Sequence, residues 1–297
     1  MAASNMPAAE VEIDAALGRA LLIDQHHDLA ELPITALGFG WDNAMFRLGD
    51  DYTVRLPRRE MAAVLVEHEQ RWLPLLAASL PLPIPAPIRN GRPALAYPWS
   101  WSVGPWLPGA TAAATPPADE FGAARVLGGF LRALHQPGPP ELPSNPFRGV
   151  PLAQRHESVI ERVAALGDAI DGPAVLQIWH SLVDTPYWTG APCWLHGDLH
   201  PANIIVNEGR VAAVIDFGDI SQGYPATDLA VGWMLFTPAA REVFRSASAS
   251  ADADTWTRAR GWALALALAY LAGSADHPVI ATIGRRTLAA VLADDGM

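Results

Sequence analysis

Lysine is absent from this chain: all twenty of its basic residues are arginine. Any permanent side-chain cation it offers to an anion is therefore a planar guanidinium and not an ammonium point charge. Cysteine is nearly absent. The single Cys193 excludes an intramolecular disulfide. It reads as a small buried residue, with a nucleophilic thiol as the alternative. Long apolar runs are missing too. Apolar residues make up 51% of the chain, yet no run reaches the roughly 18–20 residues of a bilayer span. The longest, Trp262 to Ala272, reads as a buried helix, and no membrane partner is expected. No basic segment followed by an apolar stretch opens the chain, so no secretory signal is expected and a cytoplasmic location follows. Positive charge is in deficit, with 20 basic against 31 acidic residues and a formal net charge of −11. That balance argues against nucleic acid as a partner and fits a cationic ligand, or solubility alone.

What is present is concentrated in one block. His196-Gly197-Asp198-Leu199-His200-Pro201-Ala202-Asn203 is followed, thirteen positions after Asn203, by Asp216 in Ile215-Asp216-Phe217-Gly218. This is a layout for phosphoryl transfer. Asp198 can accept a proton from an attacking hydroxyl, and Asn203 and Asp216 can hold Mg²⁺ against the phosphates of ATP or GTP. Protein kinases use H-R-D-L-x-x-x-N followed by D-F-G; here the spacing is the same and Gly197 replaces the arginine. Ala202 to Val206 and Val211 to Ile215 read as two β runs joined by the polar turn Asn207-Glu208-Gly209-Arg210. Such a hairpin places Asn203 and Asp216 at neighbouring strand ends, where two oxygen ligands suit Mg²⁺. Two other readings compete. One is a buried hairpin with incidental polar residues. The other takes His196, Asp198 and His200 as ligands of a zinc hydrolase, against which Pro201 follows at once and Asn203 and Asp216 go unexplained.

The stretch Trp194 to Asp228 resembles the aminoglycoside phosphotransferase family, kinase-like enzymes that inactivate antibiotics. That family shows H-G-D-x-H-x-x-N, then I-D-F-x-D, then D-x-A. This chain has Ile215-Asp216-Phe217-Gly218-Asp219 and Asp228-Leu229-Ala230. The motifs mark the superfamily and do not separate kinases of aminoglycosides, macrolides and other small hydroxyl compounds. The resemblance implies an α+β, two-lobed protein-kinase-like fold, with a small β-rich N-lobe over residues 1–104 and a larger, mainly helical C-lobe over 105–297. Asp228 comes only nine positions after Asp219. That leaves no room for a long regulated activation loop and favours a small-molecule substrate over a protein.

Upstream, Val11 to Ile23 has helical periodicity. Pro33–Phe39, Ala44–Leu48 and Tyr52–Leu56 read as strands. Gly38 and Gly40, in the loop that ends at Asn43, could lie over nucleotide phosphates through backbone N–H groups, or form an ordinary hairpin turn. The third strand carries Arg55, in Val54-Arg55-Leu56-Pro57, where the kinase fold has its phosphate-touching lysine, and it resembles the arginine form seen in part of the family. Arg58 and Arg59 are the alternatives, expected in solvent at a helix start. Over Arg59 to Leu76, Leu65, Glu69, Trp72, Leu73 and Leu76 share a helical face. A carboxylate among large apolar residues needs a partner, and Arg55 is the natural one. Glu67 lies on another face and spaces as a surface pair with Arg71.

A proline-rich stretch, Pro81 to Pro87, leads into strands expected near Ala94–Trp101 and Ser102–Leu107. By position in the kinase-like fold, Pro105 C=O and Leu107 N–H would meet adenine, with Trp99, Trp101 and Trp106 either lining that region or simply core. Phe121, Ala124, Leu127, Leu131 and Leu134 form a helical stripe. Helices follow near Leu152–Leu166 and Ala174–Val183, and the small polar Ser246 to Asp254 reads as a loop. The reading is a Mg-dependent O-phosphotransferase moving the γ-phosphate of ATP or GTP to a small-molecule hydroxyl. An aminoglycoside-type acceptor is expected, with His200 and Asp219 beside it; Asp168, Asp171, Asp184, Asp219 and a C-terminal acidic set could line its cleft or be solvated helix ends. Antibiotic resistance is the role this implies. A macrolide acceptor, an endogenous metabolite and a non-catalytic nucleotide-binding scaffold are the alternatives.

Overall fold

The computed structural model describes residues 7–248, 252–273 and 277–294. Two units make up the chain. One runs to Ser79 and resumes over Pro83–Pro108; the other holds Leu80–Leu82 and everything from Gly109 on. The division falls at Pro108/Gly109. A boundary at 104/105 would cut the strand that ends at Pro105.

In the first unit, Asp14 caps helix α1 (Ala15–Gln25) by accepting from Leu17 N–H. The helical periodicity that begins at Val11 therefore becomes helix only after this cap. Strands β1 (Ile34–Phe39), β2 (Asn43–Leu48) and β3 (Tyr52–Pro57) form an antiparallel meander, and helix α2 (Glu60–Ala77) follows. Strands β4 (Arg89–Gly91) and β5 (Trp101–Pro105) complete a five-stranded sheet in the order β1-β2-β3-β5-β4. Leu21 and Leu22 of α1 pack on Phe46, Leu48, Val54, Leu56, Trp101 and Val103. Each such fully buried side chain contributes roughly 1.5–3 kcal/mol of transfer free energy.

The strand expected over Ala94–Trp101 does not form. Ala94 and Tyr97 instead close a tight turn through reciprocal backbone hydrogen bonds, with Leu95 and Ala96 both at positive φ. Pairing with β5 is taken by β4, ahead of that turn. On α2 the buried face is Ala62, Val66, Glu69, Leu73 and Leu76, with Trp72 beside it, and Leu65 lies at its margin.

The second unit contains β6 (Ala110–Thr111), α3 (Glu120–Leu134), a 3-10 turn over Leu152–Arg155, α4 (His156–Leu166) and α5 (Gly172–Val183). Strands β7 (Cys193–Leu195), β8 (Ile204–Asn207), β9 (Arg210–Val214) and β10 (Ser221–Gly223) follow. Helices α6 (Ala226–Leu229), α7 (Val231–Leu235), α8 (Pro238–Ser248), α9 (Ala253–Gly273) and α10 (Pro278–Leu292) end it. β6, β8 and β9 form one small sheet and β7 pairs with β10. The β8–β9 hairpin turns at Glu208-Gly209, both at positive φ, as a two-residue primed turn requires. Helix α9 is buried nearly all round, as its apolar run predicts, and α4, α5, α6 and α10 all pack on it.

Two expectations need correction here. Phe121 is exposed and Phe130 takes the buried place on α3. The loop read over Ser246–Asp254 is helical as far as Ser248 and again from Ala253; residues 249–251 lie outside the described residues. Among the described residues, no helix is long and apolar enough to cross a membrane.

Candidate active site

The His-Gly-Asp loop leaves β7 in the second unit and is anchored from below by Asp228, which is fully buried on α6. Asp228 Oδ2 accepts from His196 N–H and its Oδ1 from Gly197 N–H, both at 2.9 Å, and His135 Nε2 lies 3.1 Å from Oδ2. Burial would raise this carboxyl, but the hydrogen bond and charge of His135, the His196 ring and the Gly197 N–H outweigh it and hold it below its ordinary value. His196 is a loop support. Its Nδ1 accepts from Asp198 N–H, so Nε2 carries the proton and donates to Ile215 C=O at 2.9 Å. The ring also packs at a tilt against fully buried Phe217 of the Asp-Phe-Gly segment. Gly197 sits at φ +86°, where a Cβ would lie 2.5 Å from the Asp219 carbonyl oxygen. The glycine is thus a steric requirement as well as the loss of an arginine.

Asp198 projects from this loop, partly exposed. Its Oδ1 lies 3.3 Å from Arg148 Nη2 and its Oδ2 3.4 Å from His200 Nε2. His200 Nδ1 accepts from Ala202 N–H, which puts the ring proton on Nε2, toward Asp198. Desolvation favours the neutral acid, yet His200, Arg148 and His196 together keep the Asp198 carboxyl well below the usual carboxylate range. It is ionised and able to take a proton.

Asn203 lies in the 3-10 turn Pro201–Asn203, just before β8, and Asp216 lies just after β9. Asn203 C=O accepts from Ile215 N–H at 2.9 Å, so the hairpin brings the two residues to neighbouring strand ends as the spacing implies. Asn203 Nδ2 donates to Asp198 C=O, which leaves its amide oxygen for another partner. Asp216 is exposed and holds a left-handed conformation, φ +64°. For a non-glycine residue that costs about 1–2 kcal/mol and marks a position shaped for something other than stability. An amide oxygen and a carboxylate are the hard donors that Mg²⁺ prefers. The zinc alternative fails on geometry. His196 Nε2 is turned onto Ile215, and no group of three His, Cys, Asp or Glu side chains among the described residues is placed to hold a metal. Cys193 is buried and its thiol is pushed up to about 12, chiefly by burial, which makes it inert.

Asp219 accepts from Asn145 Nδ2 at 2.8 Å. Burial and the nearby Asp198 charge raise its carboxyl. It lines a cavity of about 300 Å³ with Arg148, Arg155, Arg162, Trp262 and Leu266. Asp168, Asp171 and Asp184, read as acceptor ligands, are exposed, and Asp171 is the N-cap of α5.

In the first unit, Arg55 Nη1 meets Glu69 Oε1 at 2.7 Å, and Glu69 is almost fully buried. With its amide oxygen toward Arg55, Asn43 accepts from Nε and Nη2 at 3.0 Å each. Glu67 is exposed and accepts from Ser100 Oγ, while Arg71 lies over the Trp72 ring. Arg58 and Arg59 are not solvated, contrary to expectation. Arg58 is buried and donates to Gly40 C=O, and Arg59 pairs with Asp42 at 2.5 Å, so both brace the glycine loop. Gly38 is exposed at φ +143°, and Gly40 N–H closes the loop onto Asn43 C=O. Pro105 ends β5, with Leu107 two residues on, both half-buried. Trp101 is core, Trp99 packs against that core, and Trp106 stacks under Arg47.

Sequence reasoning missed Arg148, Asn145 and Tyr270. The Tyr270 ring meets His200 edge-on, and its buried hydroxyl has no hydrogen-bond partner among the described residues. None of the three stands in a recognisable motif. Each reaches the site only through the tertiary fold.

Comparison with known proteins bears on the fold and the family. The Bacillus subtilis protein YcbJ is 26% identical over 244 residues, 74% of each chain. The solved GDP and kanamycin complex of APH(2")-IIIa superposes with a TM-score of 0.69 at 19% identity, covering 94% of this chain and 99% of that one. Macrolide 2'-phosphotransferase MphH from Brachybacterium faecium gives 0.59 at 22% identity, covering 96% and 99%. These likenesses establish the kinase-like α+β fold. A family model described as the phosphotransferase enzyme family matches residues 33–262, and the chain belongs to that family.

Proposed function

We propose that this phosphotransferase moves the γ-phosphate of ATP or GTP to a hydroxyl of a small molecule. The observation that carries the reading is the Asp198 carboxylate, kept ionised by His200 and Arg148, with Asn203 and Asp216 at adjoining strand ends nearby in the sequence. The substrate hydroxyl gives its proton to Asp198. Its oxygen forms a bond to the γ-phosphorus, the bond to the β–γ bridging oxygen breaks, and the nucleoside diphosphate leaves. The His200 N–H and the Arg148 guanidinium orient the carboxylate. Asn203 and Asp216 would hold Mg²⁺, which when bound neutralises charge on the phosphates. In the first unit, Arg55 is the candidate phosphate ligand, fixed by Glu69 and Asn43. Gly38 and Gly40 offer backbone N–H groups, and Pro105 and Leu107 are candidates for the base. An aminoglycoside-type acceptor draws support from the family resemblance and from the kanamycin in the solved neighbour. The carboxylates expected to receive it give it one cavity-lining residue, Asp219.

Asp198→Asn and Asp216→Ala test the reading together. Asp198→Asn should lower transfer by roughly 10²–10⁴-fold with Mg-nucleotide affinity retained. Asp216→Ala should lose productive Mg-nucleotide binding by calorimetry. Full transfer by Asp198→Asn would remove Asp198 as the base.

A further inference from the structure

The cavity beside Asp198 is lined by three arginines and one carboxylate, an unusual lining for a site meant to take a polycation. Arg148 has the Asp198 carboxylate as its partner. Arg155 and Arg162 have none within 4 Å among the described residues. Arg155 reaches Pro146 C=O at 3.4 Å and lies over the Phe147 ring at 6.0 Å, and Arg162 reaches Ser158 Oγ at 3.4 Å, all long contacts. The Nε atoms of Arg148 and Arg155 are buried without an acceptor. Burial and the charge of Arg148 work against the ionised form of both Arg155 and Arg162. Cations gathered in a recess and left short of acceptors are costly unless an anion completes them.

The opposite wall is apolar. Trp262, Ala265, Leu266 and Ala269 stand at i, i+3, i+4 and i+7 on α9 and present one face to the cavity. Arg155 ends the 3-10 turn and Arg162 lies two helical turns further along α4, which packs on that wall. Asp219 is the negative group of the lining, and Arg148, also in the lining, reaches Asp198 just beyond it. We propose that the acceptor carries a carboxylate or phosphate group, which Arg155 and Arg162 bind while its hydroxyl is presented to Asp198. This deepens the O-phosphotransfer reading and rests on it. A polycationic acceptor would set its ammonium groups against guanidiniums in the same recess; a hydroxy acid or a phosphorylated polyol would complete them.

The test uses the full chain with Mg-ATP or Mg-GTP and charge-matched acceptor pairs. D-gluconate is set against D-glucose for the carboxylate arm, and glycerol 3-phosphate against glycerol for the phosphate arm. Kanamycin is the polycationic arm. Within at least one pair, the anionic member should be bound and turned over with kcat/KM about tenfold or more above its neutral twin, the scale of a charge-assisted hydrogen bond. The pair that responds identifies the anion. Arg155→Gln combined with Arg162→Gln should collapse that ratio toward one, mainly through KM. Preference for kanamycin or the neutral members overturns the proposal. So does a ratio untouched by the double variant, or no binding of either anionic member. In all three cases, retained Mg-nucleotide binding that is lost in Asp216→Ala leaves the phosphotransfer reading standing. Absence of Mg-nucleotide binding in the unaltered chain would overturn both.

Discussion

Arg148 lies with its Nη2 3.3 Å from Asp198 Oδ1, a guanidinium from fifty residues upstream set against the carboxylate that heads the His-Gly-Asp loop. This contact has a pH signature. The Asp198 carboxyl is held low because His200, Arg148 and His196 together overcome burial. Arg148→Gln removes one of those charges, so the carboxyl rises toward its ordinary value. Protonation of the base sets the acid limb of kcat/KM, and that limb should move to higher pH. Turnover at neutral pH should fall about tenfold, because the carboxylate is less firmly oriented. The stability linkage has a definite sign. A depressed folded pKa contributes stability above the unfolded value and loses it as pH falls through the folded one, so Arg148→Gln should narrow the acid tolerance of the fold. A pH–rate profile with an unmoved acid limb would show that Arg148 does not act on Asp198.

The first unit offers a second test. Arg55 sets Nη1 on Glu69 and Nε with Nη2 on Asn43. Removing one partner of a buried pair costs about 3–5 kcal/mol, because the other charge stays behind. Glu69→Ala and Arg55→Ala should each destabilise strongly, and the double variant should lose clearly less than their sum. Arg55→Lys should recover only part of the loss, since one ammonium cannot serve both partners. Urea denaturation of the four variants measures the coupling, and strictly additive losses would dissolve the pair.

These two contacts also mark how far the sequence could be read. Glu69 was legible because helical periodicity places it on an apolar face, and a buried carboxylate demands a cation. The hairpin between Asn203 and Asp216 was legible because its turn residues and two apolar runs are contiguous. Arg148 was not, since its partner lies in another part of the fold and no local pattern announces it. The Ala94–Tyr97 turn was hidden for a different reason. Leu95 and Ala96 take positive φ without glycine or asparagine, so the segment reads as strand. Arg58 and Arg59 looked like solvated charges at a helix start because their acceptors, Gly40 C=O and Asp42, belong to a loop seventeen or eighteen residues earlier.

Gly197→Ala is the third test. A left-handed alanine costs about 1–2 kcal/mol before any contact is counted, and its Cβ would lie 2.5 Å from the Asp219 carbonyl oxygen and 2.8 Å from Asp219 Cβ. The loop must shift, and Asp198 and Asp219 shift with it. We expect a lowered melting temperature and a fall in kcat of tenfold or more, on the order of what a misplaced base costs, with a smaller change in nucleotide affinity. Wild-type kcat in the alanine variant would mean that the loop has slack the structure does not show.

The last test concerns the anchor beneath the loop. Asp228 is fully buried and accepts from two backbone N–H groups while facing His135. Asp228→Asn keeps the shape but turns an amide N–H₂ toward donors, leaving at least one buried donor unsatisfied. Together with the lost charge this should cost about 3 kcal/mol at neutral pH. The pH dependence separates this from a mere packing defect. Because the folded pKa of Asp228 lies below its ordinary value, the charge contributes its full stability above the unfolded carboxylate range. That contribution is lost as pH falls through the folded pKa. The stability gap between the wild type and Asp228→Asn should therefore be widest near neutrality and close in acid. Turnover should fall with it, since His196 and Gly197 lose the acceptor that fixes Asp198 in place. Urea titrations at several pH values supply the measurement. A gap that stays constant with pH would leave Asp228 as a space-filling residue and remove the charge from the support of the catalytic loop.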